Sequence, residues 1–575
     1  MNQNKLPARD YHARVCNPDD GVVIAITIMQ PALEPGEDAP LILQGHGFGG
    51  ARLQSRNELS IYEQLSGGIL PSTEAARRAA DAGYFVISFD QRGFGESGGR
   101  VEVMDPTIEG EDIRAILDWA EHDMAHRERL ARRDGQIMVG GLGLSYGGGF
   151  QLIGACVDPR FTAIVPTAAW HDLTYSLAPD NVVKTAWGAA LVALGVPTSG
   201  VRVDPRLYRA LIEALMSPLT GRGLSAPISD WLYNSSPASL YDGTVARDGE
   251  RVSSAERTTP TVDALLVQGV GDTLFNLNEA AANAQALTDA GNDVHMIAMQ
   301  YGHSLPFLQD IERIAYQTDA TLAWHGETVE TAALELAYLD WKLKGIAPDP
   351  AFPRCMVVLD DATALTFDTL PTLASGHTTA FDFEGAAATG GIDLLLGLLR
   401  RQSLAHLWSL GRGAAANTTR AIVQLIRGRG QADGRDTGLL ARLVNALPSD
   451  HLDELASGGT FIPLTDIDEG CAIAGLPHAV IDIGGNVRAP IAFLGIGVQR
   501  PGVSATLLLN KQVRPIRGSG LHEVELNGVA FRLQPGDTVG LLVYGYHPQY
   551  LSSFSPIGGH VDVSGRIDLP IVDVD

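Results

Sequence analysis

The sequence predicts an α/β protein: a mostly parallel sheet covered on both faces, with a helical insertion in its later part and an all-β domain at its C-terminal end. Three observations predict it. From about residue 21 to 345, short apolar runs alternate with amphipathic stretches, as strands alternate with covering helices. From about 172 to 258 that rhythm gives way to helix-patterned sequence with Trp187, Trp231 and several prolines. The last hundred residues alternate with a period of two between Gly and Pro punctuation, the pattern of an antiparallel sandwich or jelly roll.

Taken in order, the strand-like runs are 22–29, 41–44, 84–89, 137–142, 161–165, 264–268 and 294–299. They are nearly continuous in Val, Ile, Leu and Phe, which suits strands buried on both faces. Amphipathic helices are expected over 73–82, 107–122, 279–290 and 334–344. The expected domains are an α/β part from 1–171 and 259–347, a helical cap over 172–258, and a β-sandwich over 348–575. The sandwich is interrupted at about 391–447 by apolar, helix-like sequence carrying eight arginines against three aspartates. A helical hairpin whose arginines pair the acidic surface is the reading preferred for this insert. A lid, a subunit contact that would make a homo-oligomer, and contact with lipid-like substrate are the alternatives.

The chain has 575 residues and a formal net charge of −25. That charge argues against nucleic acid or an anionic membrane surface as the main partner. No stretch approaches the length of a spanning helix, and the first ten residues hold no apolar core of a signal peptide. Cys16, Cys156, Cys355 and Cys471 are scattered without a CxxC pair, so neither structural zinc nor a disulfide framework is expected, and a reducing cytoplasm fits.

The chemistry is concentrated at Gly143-Leu-Ser-Tyr-Gly147, which follows an apolar run and precedes Gly-rich, helix-compatible sequence. A strand, a sharp turn and a helix in that order would expose the hydroxyl of Ser145 above a helix N-terminus, where developing negative charge is favoured. A plain glycine-rich turn is the bland alternative. A serine hydroxyl needs a base and a partner to orient that base. In an α/β-hydrolase sheet these follow in the chain order Ser, Asp, His. Asp272 ends the run 263–271, and His303 follows the next run through Tyr301-Gly302. Asp272 has a competing reading as a helix N-cap. His295, mid-strand, and His171 compete with His303.

The expected oxyanion donors are the main-chain amides of Tyr146, after the nucleophile, and of Phe48, in the loop Gln44-Gly-His-Gly-Phe-Gly-Gly50. Trp170, Trp187, Trp231, Phe275 and Tyr301 are candidates to line a substrate pocket, with core packing as the alternative for most of them.

Together with the elbow, Phe89-Asp-Gln-Arg-Gly-Phe-Gly-Glu-Ser-Gly-Gly99 and the acidic segment Glu109-Gly-Glu-Asp-Ile-Arg-Ala-Ile-Leu-Asp-Trp119 resemble the X-Pro dipeptidyl-peptidase and CocE/NonD (cocaine-esterase-like) serine hydrolases. The resemblance implies an α/β-hydrolase domain, an inserted helical cap, a C-terminal jelly roll, and cleavage of an ester or amide without metal or organic cofactor. Two departures stand out. The Pro-Tyr pair typical of cocaine-esterase-like oxyanion loops is replaced by His46-Gly-Phe-Gly. No acid is singled out to bind a substrate amino terminus, although Asp172, Asp180 and Glu213 lie in the cap. Carboxylic ester is therefore the expected bond. X-Pro dipeptidyl-peptidase or amino-acid-ester acylase activity is the rival, and a non-catalytic binding protein on this scaffold is the alternative of another class. Asp90 and Arg92 are read as structural.

Overall fold

A computed structural model describes residues 5–60, 63, 70–220, 222–300, 302–304, 315–316, 320–389, 459–503, 506–550 and 558–574. Tyr301 and the basic insert at 391–447 lie outside the described residues.

The chain opens with β1 (Arg9–Cys16), β2 (Val23–Gln30), β3 (Leu41–Gly45), α1 (Pro71–Asp81), β4 (Phe85–Phe89), α2 (Glu109–His122), β5 (Val139–Leu144), α3 (Tyr146–Val157) and β6 (Phe161–Thr167). The helices α4 (Leu173–Leu177), α5 (Thr185–Thr198), α6 (Pro205–Thr220), α7 (Ala226–Asn234) and α8 (Pro237–Tyr241) follow, with a hairpin of Thr244–Arg247 and Glu250–Ser253. The sheet resumes with β7 (Asp263–Gly269), α9 (Leu277–Asp289), β8 (Val294–Met299), α10 (Thr331–Lys344), β9 (Cys355–Val358) and β10 (Ala364–Phe367).

Across the ten-stranded sheet the order is β1-β2-β4-β3-β5-β6-β7-β8-β9-β10. The run from β4 to β9 is parallel, and β1, β2 and β10 pair antiparallel with their neighbours. Alternate residues of one strand enter opposite cores: Leu41 and Leu43 join one, Ile42 the other; Leu266 joins the first, Leu265 and Val267 the second. That double burial is why these strands read as unbroken apolar runs.

The expected boundary at 348 falls too early. β9 pairs in parallel with β8, Met296 against Cys355, so the α/β sheet runs on to Phe367. The first strand of the C-terminal all-β region is Thr379–Ala388. Prolines at 348, 350 and 353 punctuate a connection inside the sheet rather than a domain edge. β1 was not expected either, because as an edge strand it alternates exposed Arg9 and Arg14 with half-buried residues instead of forming an apolar run.

The described C-terminal strands are all antiparallel. Thr379–Ala388, His560–Leu569, His478–Gly485 and Gly520–Glu525 make one sheet, and Thr460–Asp466, Thr538–Tyr544 and Ile491–Gln499 anchor a second. Phe383, Ile481 and Val563 from the first share a core with Ile462, Ile496 and Leu541 from the second.

Candidate active site

The serine turn is built by close backbone approach. Ser145 has φ 59° and ψ −119° between the end of β5 and the start of α3. A non-glycine residue held there carries roughly 1–3 kcal/mol of strain, which persists only where the surroundings impose it. They do. The Ser145 amide donates to the Thr167 carbonyl at 2.8 Å, and the Ser145 carbonyl accepts the amides of Gly148 and Gly149. A Cβ on Gly147 would lie 2.2 Å from the Gly45 carbonyl oxygen, so no larger residue fits between β3 and the elbow. Gly143 has φ 150° and faces the same carbonyl. Ser145 is buried to 7% exposure.

Asp272 and His303 meet on the loops after β7 and β8. His303 Nδ1 lies 2.6 Å from Asp272 Oδ2; a carboxylate only accepts, so Nδ1 carries the proton. Asp272 is fully buried, and its Oδ1 accepts the amides of Leu274 and Phe275 at 2.9 and 2.8 Å. The helix cap of α9 is Asn276, so Asp272 is not its N-cap; the amides that donate to it stiffen the turn that presents it.

Two rings link the serine turn to the histidine. Tyr146 stacks on Trp170 with centroids 6.1 Å apart, Trp170 tilts against Phe275 at 5.4 Å, and Phe275 meets His303 edge-on at 5.3 Å. Trp187, on α5, meets His303 edge-on from the cap side at 6.0 Å. Phe48 packs edge-on against Phe94 and Tyr146. Trp170 is buried to 1% exposure and packs beneath the elbow as core. Trp231 is not among these rings: it lies under the Arg206 guanidinium, 4.7 Å away, and belongs to the cap's own packing. Tyr301 is outside the described residues.

Tyr146 begins α3, so its amide has no preceding helical carbonyl to bind. Its hydroxyl points away from this role, donating to Glu109 Oε1 at 2.7 Å and accepting the Met104 amide at 2.9 Å. Burial pushes the Glu109 carboxyl up to about 8, although it also accepts the amides of Glu102 and Asp105.

The rival histidines are engaged elsewhere. His295 Nδ1 donates to the Pro353 carbonyl at 2.8 Å amid Tyr338, Trp341 and Phe352. His171 Nδ1 pairs with Asn283 Oδ1 at 3.0 Å. His46 bridges the Gly47 carbonyl and the Gln91 amide, and burial lowers its pKa. Asp90 receives Arg52, and Arg92 is paired with Asp112 at 2.6 Å and Asp20, so both shape the loop after β4.

Asp172, Asp180 and Glu213 of the cap each serve this chain's own donors. Asp172 caps α4 through the Thr174 amide, Asp180 accepts the Arg517 amide, and Glu213 accepts from Ser225 and Arg209.

Sequence reasoning passed over Thr273, Lys184 and Gln549. Thr273 sits beside Asp272 and is fully buried; Lys184 of the cap and Gln549 of the C-terminal region both reach its carbonyl. No periodicity or motif marks contacts between residues so far apart in the chain. Among the described residues no group of three or more His, Cys, Asp or Glu side chains is arranged to hold a metal, and no helix is long and apolar enough to cross a membrane.

The fold and the strained serine between strand and helix define an α/β-hydrolase with an added all-β region. Residues 20–305 match the X-Pro dipeptidyl-peptidase (S15 family) model. An uncharacterized 31.7 kDa protein from the traX-finO intergenic region of Escherichia coli is 33% identical over 150 residues, 26% of this chain and 43% of that protein. An uncharacterized protein of Pseudomonas aeruginosa is 30% identical over 156 residues, 27% of this chain and 35% of that one. The chain thus spans less than half the length of these curated relatives.

Among solved structures, a CocE/NonD family hydrolase from Staphylococcus aureus aligns over 99% of this chain and 97% of its own, with a TM-score of 0.55 at 12% identity. An aminopeptidase from a marine sediment Thaumarchaeota archaeon gives 0.56 at 13% identity over 98% and 96%, and an α-amino acid ester hydrolase gives 0.52 at 12% over 98% and 96%. At these identities the likeness shows a shared fold.

Proposed function

We propose that the protein is a serine hydrolase that cleaves carboxylic esters of small molecules through an acyl-enzyme. The observation that carries the reading is the Ser145 backbone, held strained at the start of a helix where a nucleophile elbow needs it. Ser145 Oγ attacks the ester carbonyl carbon while its proton passes to His303 Nε2. The carbon–oxygen bond to the alcohol then breaks and that proton leaves with the alcohol. Water, losing its proton to the same nitrogen, attacks the acyl-serine; the proton returns to Ser145 and the acid departs. Asp272 holds the imidazole in the Nδ1–H tautomer and stabilises its charged form. The amides of Tyr146 and Phe48 serve as the oxyanion donors, and Trp187 and Phe275 flank the imidazole with apolar surface suited to the ester's carbon chain.

The engagement of Asp172, Asp180 and Glu213 by this chain's own groups favours an ester without an amino terminus over an X-Pro dipeptide. Parallel assays of an aliphatic p-nitrophenyl ester and a Gly-Pro anilide test this. Ester turnover at least tenfold above anilide turnover is expected. Preferential cleavage of the anilide would replace it with the dipeptidyl-peptidase reading. Turnover of neither, with no acylation of Ser145, would leave a binding protein on a hydrolase scaffold.

A further inference from the structure

Every polar atom of Thr273 is committed, and the commitments come from three parts of the chain. Its amide and its hydroxyl both donate to the His303 carbonyl, at 2.9 and 3.1 Å. Its hydroxyl oxygen accepts Trp187 Nε1 of the cap at 3.1 Å. Its carbonyl accepts Lys184 Nζ of the cap at 3.0 Å and Gln549 Nε2 of the C-terminal all-β region at 2.6 Å. A threonine offers one hydroxyl donor, one amide donor and lone pairs on two oxygens, so this is close to its full capacity. Thr273, Lys184 and Gln549 are all nearly or fully buried, where each lost partner would leave an unpaired group.

We propose that Thr273 is a positioning residue for His303, fixing the main chain of the histidine while Asp272 fixes its ring, and that Gln549 and Lys184 set Thr273 in place. The inference rests on the reading of His303 as the base. His303 is thereby located by two adjacent residues of one turn, its ring Nδ1 by Asp272 Oδ2 and its main-chain carbonyl by Thr273. The turn itself is held by Lys184, which also donates to the Leu274 carbonyl at 3.1 Å, and by Gln549 and Gln512, the latter donating to the Val270 carbonyl at 2.6 Å. Burial of the Lys184 ammonium pushes its pKa down to about 8, so its three donors are placed here at a cost that only well-made hydrogen bonds offset. Cap and C-terminal region therefore both bear on the main chain of the base through Thr273.

The test uses the full chain carrying Thr273→Val, Thr273→Ser or Gln549→Met, with ester kinetics, the rate of fluorophosphonate labelling and the melting temperature read together. Thr273→Val keeps the shape and removes the hydroxyl. Its kcat is expected to fall by about 10–100-fold with KM within about twofold, the loss typical of a misplaced catalytic group. Thr273→Ser keeps the hydroxyl and is expected to recover most of that rate. Gln549→Met is expected to lower kcat by roughly 3–10-fold without changing KM. A folded Thr273→Val or Gln549→Met with wild-type kcat overturns the inference, as does a rate loss that merely tracks the unfolded fraction. Should Thr273→Val not fold, Gln549→Met decides. A wild-type protein that neither turns over ester nor labels overturns the hydrolase reading, and this inference with it.

Discussion

His303 Nδ1 sits 2.6 Å from Asp272 Oδ2, a buried pair brought together across 31 positions by the loops after two neighbouring parallel strands. Because both amides that donate to Asp272 Oδ1 come from its own turn, the carboxylate has one orientation, and so does the imidazole. Replacing Asp272 by Asn keeps the shape but presents an amide that can donate, which favours the wrong tautomer. The expected result of Asp272→Asn is a kcat lower by about 10⁴-fold at neutral pH, as for other triads that lose the acid. Steady-state ester hydrolysis measures it. A loss below tenfold would remove Asp272 from the mechanism.

Gly147 faces the Gly45 carbonyl with no room for a methyl group, and both contacting groups are main chain. Gly147→Ala therefore forces β3 and the elbow apart, at a cost of roughly 1–3 kcal/mol or more. The displaced segment leads into Phe48, so kcat is expected to fall at least tenfold alongside a lower melting temperature. An alanine variant with native stability and rate would show that the elbow tolerates a side chain there.

How far the sequence foresaw this arrangement depends on how local each feature is. The elbow was legible because strand, turn residues and helix lie together between Val139 and Val157 and its glycines have a steric reason. The sheet strands were legible because double burial makes them apolar without interruption. β9 and β10 were missed because prolines and a change of pattern outweighed a parallel pairing to β8 that no local signal announces. Trp231 was a reasonable pocket candidate on composition, yet it stacks under Arg206, and only tertiary packing decides which tryptophan of a cap reaches the site. Thr273 had no signal at all: its partners at 184, 303 and 549 come from three separate parts of the chain.

Glu335, on α10, supplies a pH-dependent prediction. It is fully buried; Thr167 Oγ1 donates to its Oε1 at 3.4 Å, and its Oε2 has no hydrogen-bond partner among the described residues. Burial pushes its carboxyl up to about 8 from an ordinary value of 4.5. A folded-state pKa raised above the unfolded one gives stability that is fully present below about pH 4.5 and is lost as pH rises through about 8. The loss is on the order of a few kcal/mol. Glu335→Gln removes this titration, so its melting temperature is expected to exceed that of wild type by a few degrees at pH 9 and to match it near pH 5. Thermal melts across that range check it. Parallel curves for the two proteins would show that folding does not raise the Glu335 pKa.

The most direct test of the account is intact-mass labelling with a fluorophosphonate of the wild type, Ser145→Ala and His303→Ala. The account predicts one adduct on the wild type, none on Ser145→Ala, and labelling slowed by several orders of magnitude, roughly, on His303→Ala. An adduct retained by Ser145→Ala, or none on the native wild type, would contradict Ser145 as the nucleophile.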